Sequence, residues 1–364
     1  MFYGIDLHSD SFKAAVLDEK TDAVKIIQVS LRKEFLAKFL EKLTKEDYVA
    51  VEASTNTFWF VDQLVGKVAE YFVVDPMKFS IIGKSNKKTD KVDAIKLAKK
   101  LKYYVMFDRS KDEFPTVTIP PKAVRELRSL FTSYQMLKKE RNMTKNCIHA
   151  LFKQNGLIEF RKLDLTKLHV REKIRAFKTD PVLEFQLKQM LDKLDELDKV
   201  QDAYKTMIIQ IAHAEFDNQI RLLTSIKGIS PFLASAIMAD IMDVNRFANA
   251  KHMCSYLRAA PKIKASGDST QVGKLNKQSR GLTMSLMAES VTHFVNSSKK
   301  MTEFYASKIK GKSAGKVRVA VIRKILATVY YMLTREVLYY YVDSKNYDNK
   351  LKQYQRVLKS KGKV

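Results

Sequence analysis

The first hundred residues carry apolar runs in a fixed order, and that order limits the folds open to the chain. Phe2–Leu7 (FYGIDL) has the composition of a buried strand. A polar turn at 8–11 follows, then the runs 12–17 (FKAAVL) and 24–29 (VKIIQV), so three consecutive antiparallel strands are predicted. Residues 31–43 place Phe35, Leu36, Phe39, Leu40 and Leu43 at helical spacing. A fourth strand is expected at 48–53 (YVAVEA), a helix at 58–69 and a short strand at 71–74. A further helix starts near Asp90 and carries Ile95, Leu97, Ala98 and Leu101.

Three antiparallel strands followed by helix, strand, helix, strand, helix is the order of the ribonuclease-H-like α/β fold. The acids fall at telling places on it. Asp6 lies inside the first strand and Glu52 near the end of the fourth, which pairs beside the first in that fold. An acid inside an apolar strand is costly to bury unless it is paired or binds metal. Asp90 and Asp93 stand three apart at the start of a helix and share a face. An acidic helix N-terminus also suits the helix dipole without any ligand. Together Asp6, Glu52, Asp90 and Asp93 form a candidate four-carboxylate cluster. Hard oxygen donors favour magnesium or calcium over zinc, and two magnesium ions can clamp the attacking and leaving oxygens of a phosphodiester.

Prolines 115, 120 and 121 mark 107–121 as a linker. Two long helices are expected at 122–155 and 181–214, separated by a basic, poorly periodic segment. The second runs Leu183, Leu187, Met190, Leu194, Leu197, Tyr204, Ile208, Ile211, a coiled-coil seam that serves an intramolecular hairpin or an oligomer contact. Within 222–239, Ile226-Lys227-Gly228-Ile229 predicts a tight helical hairpin, and Lys227 and the Gly228 backbone are candidate phosphate contacts. Residues 261–277 read as a loop with Lys262, Lys264, Lys274 and Lys277 around Ser266 and Gly267. Ser266 is a candidate nucleophile or a phosphate-contacting serine, and Ser269 is a second candidate. Helices return at 282–294 and 316–341, the latter carrying Arg318, Arg323 and Lys324 as candidate nucleic-acid contacts. A polar, basic tail at 343–364 is expected to be loosely held.

The chain is 364 residues long with a net charge of +26. From Lys251 onward there are 24 basic and 6 acidic residues, so 18 of the 26 charges sit in the last third. That asymmetry points to a polyanion such as nucleic acid. Cys147 and Cys254 are the two cysteines. They offer neither a disulfide framework nor a zinc site, and a reducing cytoplasm is expected. The start carries Asp6 in its apolar run and reads as no signal peptide, and no apolar stretch is long enough to span a membrane.

The combination resembles the DEDD transposases of the insertion sequence one-ten/eleven-eleven group, the bridge-RNA-guided recombinases. The resemblance runs from Tyr3 to Tyr341. It rests on Gly4-Ile5-Asp6-Leu7-His8, Glu52-Ala53-Ser54, Thr89-Asp90-Lys91-Val92-Asp93-Ala94 and Ile226-Lys227-Gly228-Ile229. Further markers are Arg246-Phe247, Pro261, Ser266-Gly267, Gly273-Lys274-Leu275-Asn276-Lys277, Ser297-Ser298, Phe304 and the basic helix from Lys316. It implies a RuvC-like (RNase H-like) α/β domain over 1–108 and a linker with coiled-coil helices over 109–215. A mainly helical transposase domain over 216–342 and a basic tail over 343–364 complete the division. Asp6, Glu52, Asp90 and Asp93 match the family's metal-binding acids, with magnesium as cofactor. Ser266 matches its catalytic serine, which joins DNA as a phosphoserine. The implied partners are double-stranded DNA, a structured guide RNA and further copies of the chain, in a prokaryotic cytoplasm near the nucleoid.

The chain departs from the family's pattern at Ser279, Thr283-Met284 and Arg258-Ala259-Ala260, with Arg280 and Gly281 displaced. The residues also fit a RuvC-like nuclease that forms no covalent intermediate, and a nucleic-acid-binding protein without catalysis. A sugar-kinase-like ATPase shares the opening Gly4-Ile5-Asp6 but lacks glycine-rich phosphate loops downstream here.

Overall fold

The computed structural model describes residues 1–82, 89–107, 114–266, 269–275 and 281–360, which fall into two compact units, Met1–Pro120 and Pro121–Val364. The first unit is built on a six-stranded sheet of order β3-β2-β1-β4-β5-β6. Strands β1 (Phe2–Leu7), β2 (Ser11–Leu17) and β3 (Val24–Ser30) form an antiparallel meander, and α1 (Lys33–Leu40) follows. Strand β4 (Tyr48–Glu52) returns parallel beside β1; α2 (Thr57–Asp62) leads to β5 (Glu70–Val74), parallel to β4. Helices α3 (Pro76–Ile82) and α4 (Asp90–Met106) precede β6 (Thr116–Val117), which pairs antiparallel to β5. This is the ribonuclease-H-like arrangement expected from the element order. The sequence reading lacked α3 and β6, and the two residues of β6 lie inside the proline-punctuated stretch read as a linker. Helix α2 also closes earlier than the expected 58–69, the remainder turning back toward Gly66 at φ +74°.

The side-chain alternation of the strands sorts this unit into two cores. One face carries Ile5, Leu7, Phe12, Val49 and Val51 against α1 and α2. The other carries Phe2, Ala15, Ala50 and Phe72 against Ala94, Leu97, Ala98 and Leu101 of α4. Gly4 belongs to this second face. A Cβ there would lie 2.3 Å from the Ala94 carbonyl oxygen and 2.4 Å from the Ala98 nitrogen. The missing side chain therefore lets α4 rest directly on β1.

The second unit is mainly helical. Helix α5 (Lys122–Gln154) runs antiparallel to α7 (Pro181–Thr224), with α6 (Leu168–Ala176) between them in sequence. Leu127, Phe131 and Tyr134 at one end of α5 share a core with Ile208 and Ile209, while Ile148 and Phe152 at the other pack on Leu183, Leu187, Leu191 and Leu194. The apolar seam of α7 is thus met within the chain, by the hairpin. Asp180 caps α7, its carboxylate accepting from the Val182 and Leu183 amides, and Pro181 occupies the first turn. The helix continues past the expected end to Thr224, kinking at Phe216 (φ −140°, ψ 29°). The segment read as poorly periodic holds α6, whose Arg171 is fully buried and paired with Asp195 and Asp198 of α7.

Helices α8 (Pro231–Ile241) and α9 (Ala250–Tyr256) precede strands β7 (Pro261–Ser266) and β8 (Ser269–Leu275). The stretch read as a loop is therefore an antiparallel β-ribbon, in which backbone pairing satisfies groups a loop would leave to solvent. Helices α10 (Leu282–Glu289), α11 (Val291–Val295), α12 (Lys299–Ile309), α13 (Ala314–Arg335) and α14 (Ser344–Lys359) complete the unit. Helix α13 stops at Arg335 and not at 341, because Glu336 turns into the left-handed region at φ 53°. Helix α14 corrects the expectation of a loosely held tail. Its Tyr354 is fully buried, donating to Asp217 at 3.1 Å and lying 3.2 Å from His213 Nδ1 on α7.

Candidate metal centre and nucleic-acid surfaces

In the first unit the geometry begins with Gly4. Because α4 sits directly on β1, the start of that helix is carried to the end of the strand, where Asp6 stands. Thr89 fixes this start by accepting from the Val92 amide through its hydroxyl, and its carbonyl accepts from the Asp93 amide at 3.0 Å. Asp6, His8 and Asp90 converge, each offering a ligand atom within 4.8 Å of the others. His8 Nε2 lies 3.5 Å from Asp6 Oδ2 and 3.4 Å from Asp90 Oδ2. Lys13, opposite Asp6 in the β1–β2 register, donates to Asp90 at 2.8 Å.

The electrostatics follow from this placement. Burial pushes the Asp6 carboxyl above its usual range, His8 and Lys13 oppose the shift, and the charges of Asp90 and Asp93 add to it. Asp90 is held below the usual range, first by its hydrogen bond from Lys13 and then by that ammonium's charge. Two carboxylates, one of them short of positive charge, beside an imidazole make a donor set suited to a divalent cation. Asp93 reaches the group through its charge on Asp6. Glu52 follows Val51 and Asp6 follows Ile5, the last residues paired between β4 and β1, so both acids stand where that pairing ends. Asp93 and Glu52 lie outside the 4.8 Å group found among the described residues. His8 and Lys13 were not foreseen as members. Their signals were available: His8 closes the Gly4–His8 motif, and Lys13 faces Asp6 once the hairpin register is drawn. Asn56, whose side-chain amide donates to the His8 carbonyl at 2.9 Å, gave no such signal.

In the second unit the helical hairpin is present, with Gly228 at φ +97° between α7 and α8. A Cβ there would meet His293 at 2.8 Å and the Phe294 ring at 3.0 Å, so glycine is required twice over. The carbonyls of Thr224, Ile226 and Ile229 all accept from Lys350 of α14, at 2.9, 2.8 and 3.0 Å. A trans peptide points its N–H opposite to its C=O. The Lys227 amide is thereby turned away from Lys350, and neither it nor the Gly228 amide has a partner among the described residues. Burial lowers the Lys350 ammonium to about 8.

Ser266 and Ser269 are directly paired at the end of the β-ribbon. Lys277 lies outside the described residues, as do the side chains of Ser266, Lys262, Lys264 and Lys274. Arg318, Arg323 and Lys324 are all exposed on α13, but they do not form one row. At about 100° per residue, Lys324 shares its stripe with Thr328, Tyr331 and Arg335, while Arg323 and Arg318 lie well around the helix. Of the departures from the family pattern, two fit each other. Arg258 takes the left-handed conformation at φ 62°, and its guanidinium lies 2.6 Å from where a Cβ on Gly281 would be.

A family model for the DEDD transposase of IS110 elements matches residues 3–155, and one for the transposase IS116/IS110/IS902 family matches residues 220–306. The chain belongs to the IS110 family of DEDD transposases. No curated protein matches it significantly. The first of the two matches takes in the sheet, α4 and all of α5; the second covers the helical hairpin and the β-ribbon. Membership makes this transposase a DNA-processing enzyme and implies a divalent ion at its acidic cluster. Among the described residues no helix is long and apolar enough to cross a membrane.

Proposed function

We propose that this transposase breaks and rejoins DNA through a phosphoserine at Ser266, with magnesium held by Asp6, Glu52, Asp90 and Asp93 and with sites chosen by a structured guide RNA. The reading draws on the meeting of Asp6 and Asp90 at the junction of β1 and α4, with Asp93 close enough to act on Asp6 and Glu52 just past the last β1–β4 pair. In the first step the Ser266 oxygen bonds to phosphorus, the 3′ oxygen leaves, and the serine proton ends on that 3′ hydroxyl. In the second, a 3′ hydroxyl from another strand attacks the phosphoserine and the serine regains its proton. The bond energy stays in the phosphoester throughout, so joining consumes no ATP. Bound magnesium supplies positive charge to the phosphate under attack. Lys262, Lys264, Lys274 and Lys277 neutralise neighbouring phosphates, as do Arg318, Arg323 and Lys324. Lys227 and the free Gly228 amide contact a backbone phosphate, and several copies of the chain act together on two duplexes.

Covalent trapping tests the reading. The protein, its flanking RNA and labelled nicked element-end DNA are mixed with magnesium and run on a denaturing gel. An adduct lost in Ser266→Ala and in Asp90→Ala/Asp93→Ala, but kept in Ser269→Ala, is expected. Cleavage without an adduct would replace the serine mechanism with two-metal hydrolysis. An adduct formed equally well without RNA would remove the guide.

A further inference from the structure

The second matched region stops at residue 306, short of most of a cleft of about 310 Å³ between the start of α12, the end of α13 and the segment that follows it. That volume is within the range of ligand sites, about 300–1,000 Å³. Its walls combine aromatic rings and cations, and among the described residues no carboxylate lines it. Tyr340 is 88% exposed and Tyr331 51% exposed, unusual for large rings with no partner chain required to explain the fold. The Arg335 guanidinium lies 5.6 Å from the Tyr331 ring centroid, Lys300 lies 6.0 Å from that of Tyr341, and Lys324 stands on the same helical stripe as Tyr331.

The rings are held outward by construction. Glu336 ends α13 in a left-handed turn that an L residue adopts at some cost. Three residues on, Tyr339 is buried, its amide donating to Ser225 Oγ at 2.9 Å and its hydroxyl meeting Ser297 Oγ. Pinned at that point, the chain leaves Tyr340 facing solvent beside Tyr341, with ring centroids 4.8 Å apart. Rigid exposed rings beside cations offer what a nucleotide with an unstacked base needs: a face for the base and positive charge for its phosphates. A duplex, whose base faces are occupied by stacking, would use only the cations.

We infer that this cleft binds an unpaired nucleotide of a DNA strand, its base stacked on Tyr340 or Tyr331 and its phosphates on Lys300, Lys324 and Arg335. The choice of DNA rests on the transposase reading, since strand breakage and exchange exposes unpaired ends; the stacking site itself does not depend on Ser266 chemistry.

Binding of a thymidine 12-mer carrying one 2-aminopurine to the full-length protein tests the inference by fluorescence. Stacking is expected to quench the probe. Tyr340→Ala and Tyr331→Ala, both at exposed positions that leave the fold intact by circular dichroism, should together weaken single-strand binding about tenfold and abolish the quenching. Affinity for a duplex of equal length should stay within about twofold of wild type in the same double variant, because its phosphate contacts remain. Unchanged quenching in the double variant would overturn the site. A ribonucleotide 12-mer bound far more tightly than the DNA would reassign the cleft to RNA and overturn the ligand. None of these readouts needs strand joining, so a failed covalent trap leaves them interpretable.

Discussion

Two lysines, each distant in sequence from its partners, sit on clusters of oxygen atoms in this protein, and they do opposite things. Lys13 in the first unit pairs with one carboxylate, Asp90, at a partly exposed site where a second acid, Asp6, is pushed toward protonation. Lys350 in the second unit is half-buried against three neutral carbonyls and has no counter-charge among its direct hydrogen-bond partners. An exposed ion pair contributes little to stability and yields readily to a better cation. If the Lys350 ammonium left, the Ile226 carbonyl would keep the Ile229 amide, but the Thr224 and Ile229 carbonyls would lose this donor in a buried setting. The first lysine therefore sits where one cation can replace another at little cost, and the second is part of the framework that shapes the hairpin turn.

The largest expected effect tests how the site around Lys13 is built. Gly4→Val should cost about 2–3 kcal/mol or more by urea denaturation, because the new side chain must displace backbone of α4. Manganese binding, read by electron paramagnetic resonance, should disappear with it; retained binding would show that Asp6 and Asp90 do not depend on this approach. Next, Lys350→Met should destabilise the protein by about 2 kcal/mol by leaving carbonyls of the turn unpaired, whereas Lys13→Met should leave the melting midpoint essentially unchanged. Equal effects of the two substitutions would break the comparison.

The pH dependence sharpens it further. With Lys350 at about 8 in the folded state against 10.5 unfolded, the unfolded chain binds more protons between those values. Stability from this group therefore rises with pH from about 8 to 10.5 and is lost as pH falls back toward 8. Subtracting the melting profile of Lys350→Met from that of wild type should isolate this slope. Asp6 has the opposite sign. Its folded value is raised above 3.8, so in the metal-free protein its contribution is complete below that pH and is lost as pH rises through the folded value. Metal requires the ionised carboxylate, so manganese affinity should weaken as pH falls through the same window. Lys13→Met should tighten manganese severalfold at neutral pH by removing the competing ammonium. A smaller loss than at Lys350 is expected at α14: Tyr354→Phe should cost about 1 kcal/mol through lost hydrogen bonds to Asp217 and His213.

A second contrast, between two pairs of acids, explains how far the site could be read in advance. Asp90 and Asp93 stand three apart on α4, and Asp195 and Asp198 stand three apart on α7. Their local sequences, Asp-Lys-Val-Asp and Asp-Glu-Leu-Asp, do not separate them. Arg171, Arg175 and Arg141 neutralise the α7 pair, whereas the α4 pair meets another acid at a strand end. Spacing places two carboxylates on one helix face; which charges come to that face is decided by other parts of the chain. What favoured Asp90 and Asp93 from sequence was the strand order before them, which sends Asp6 and Glu52 to the same edge of the sheet.

The β-ribbon and α14 were missed for related reasons. Residues 261–275 are rich in lysine and small side chains, so no alternation of apolar residues announced strands, and pairing with each other supplied what composition did not. The tail is polar overall, but Tyr347, Leu351, Tyr354 and Leu358 recur at helical spacing, a stripe too sparse to outweigh the charge around it until Tyr354, Val357 and Leu358 meet the core.

By itself the sequence determined the order of strands and helices of the first unit as far as β5, the two long helices α5 and α7, the glycine turn at Gly228 and the concentration of positive charge, because periodicity, turn chemistry and charge are local or additive. The tertiary structure alone decided that Asp90 meets Asp6, His8 and Lys13, that Lys350 holds the turn, and that Tyr340 stays in solvent while Tyr339 is buried. Each of these depends on which distant oxygen atoms or apolar surfaces meet a side chain. A one-dimensional pattern carries no distance between residues so far apart along the chain.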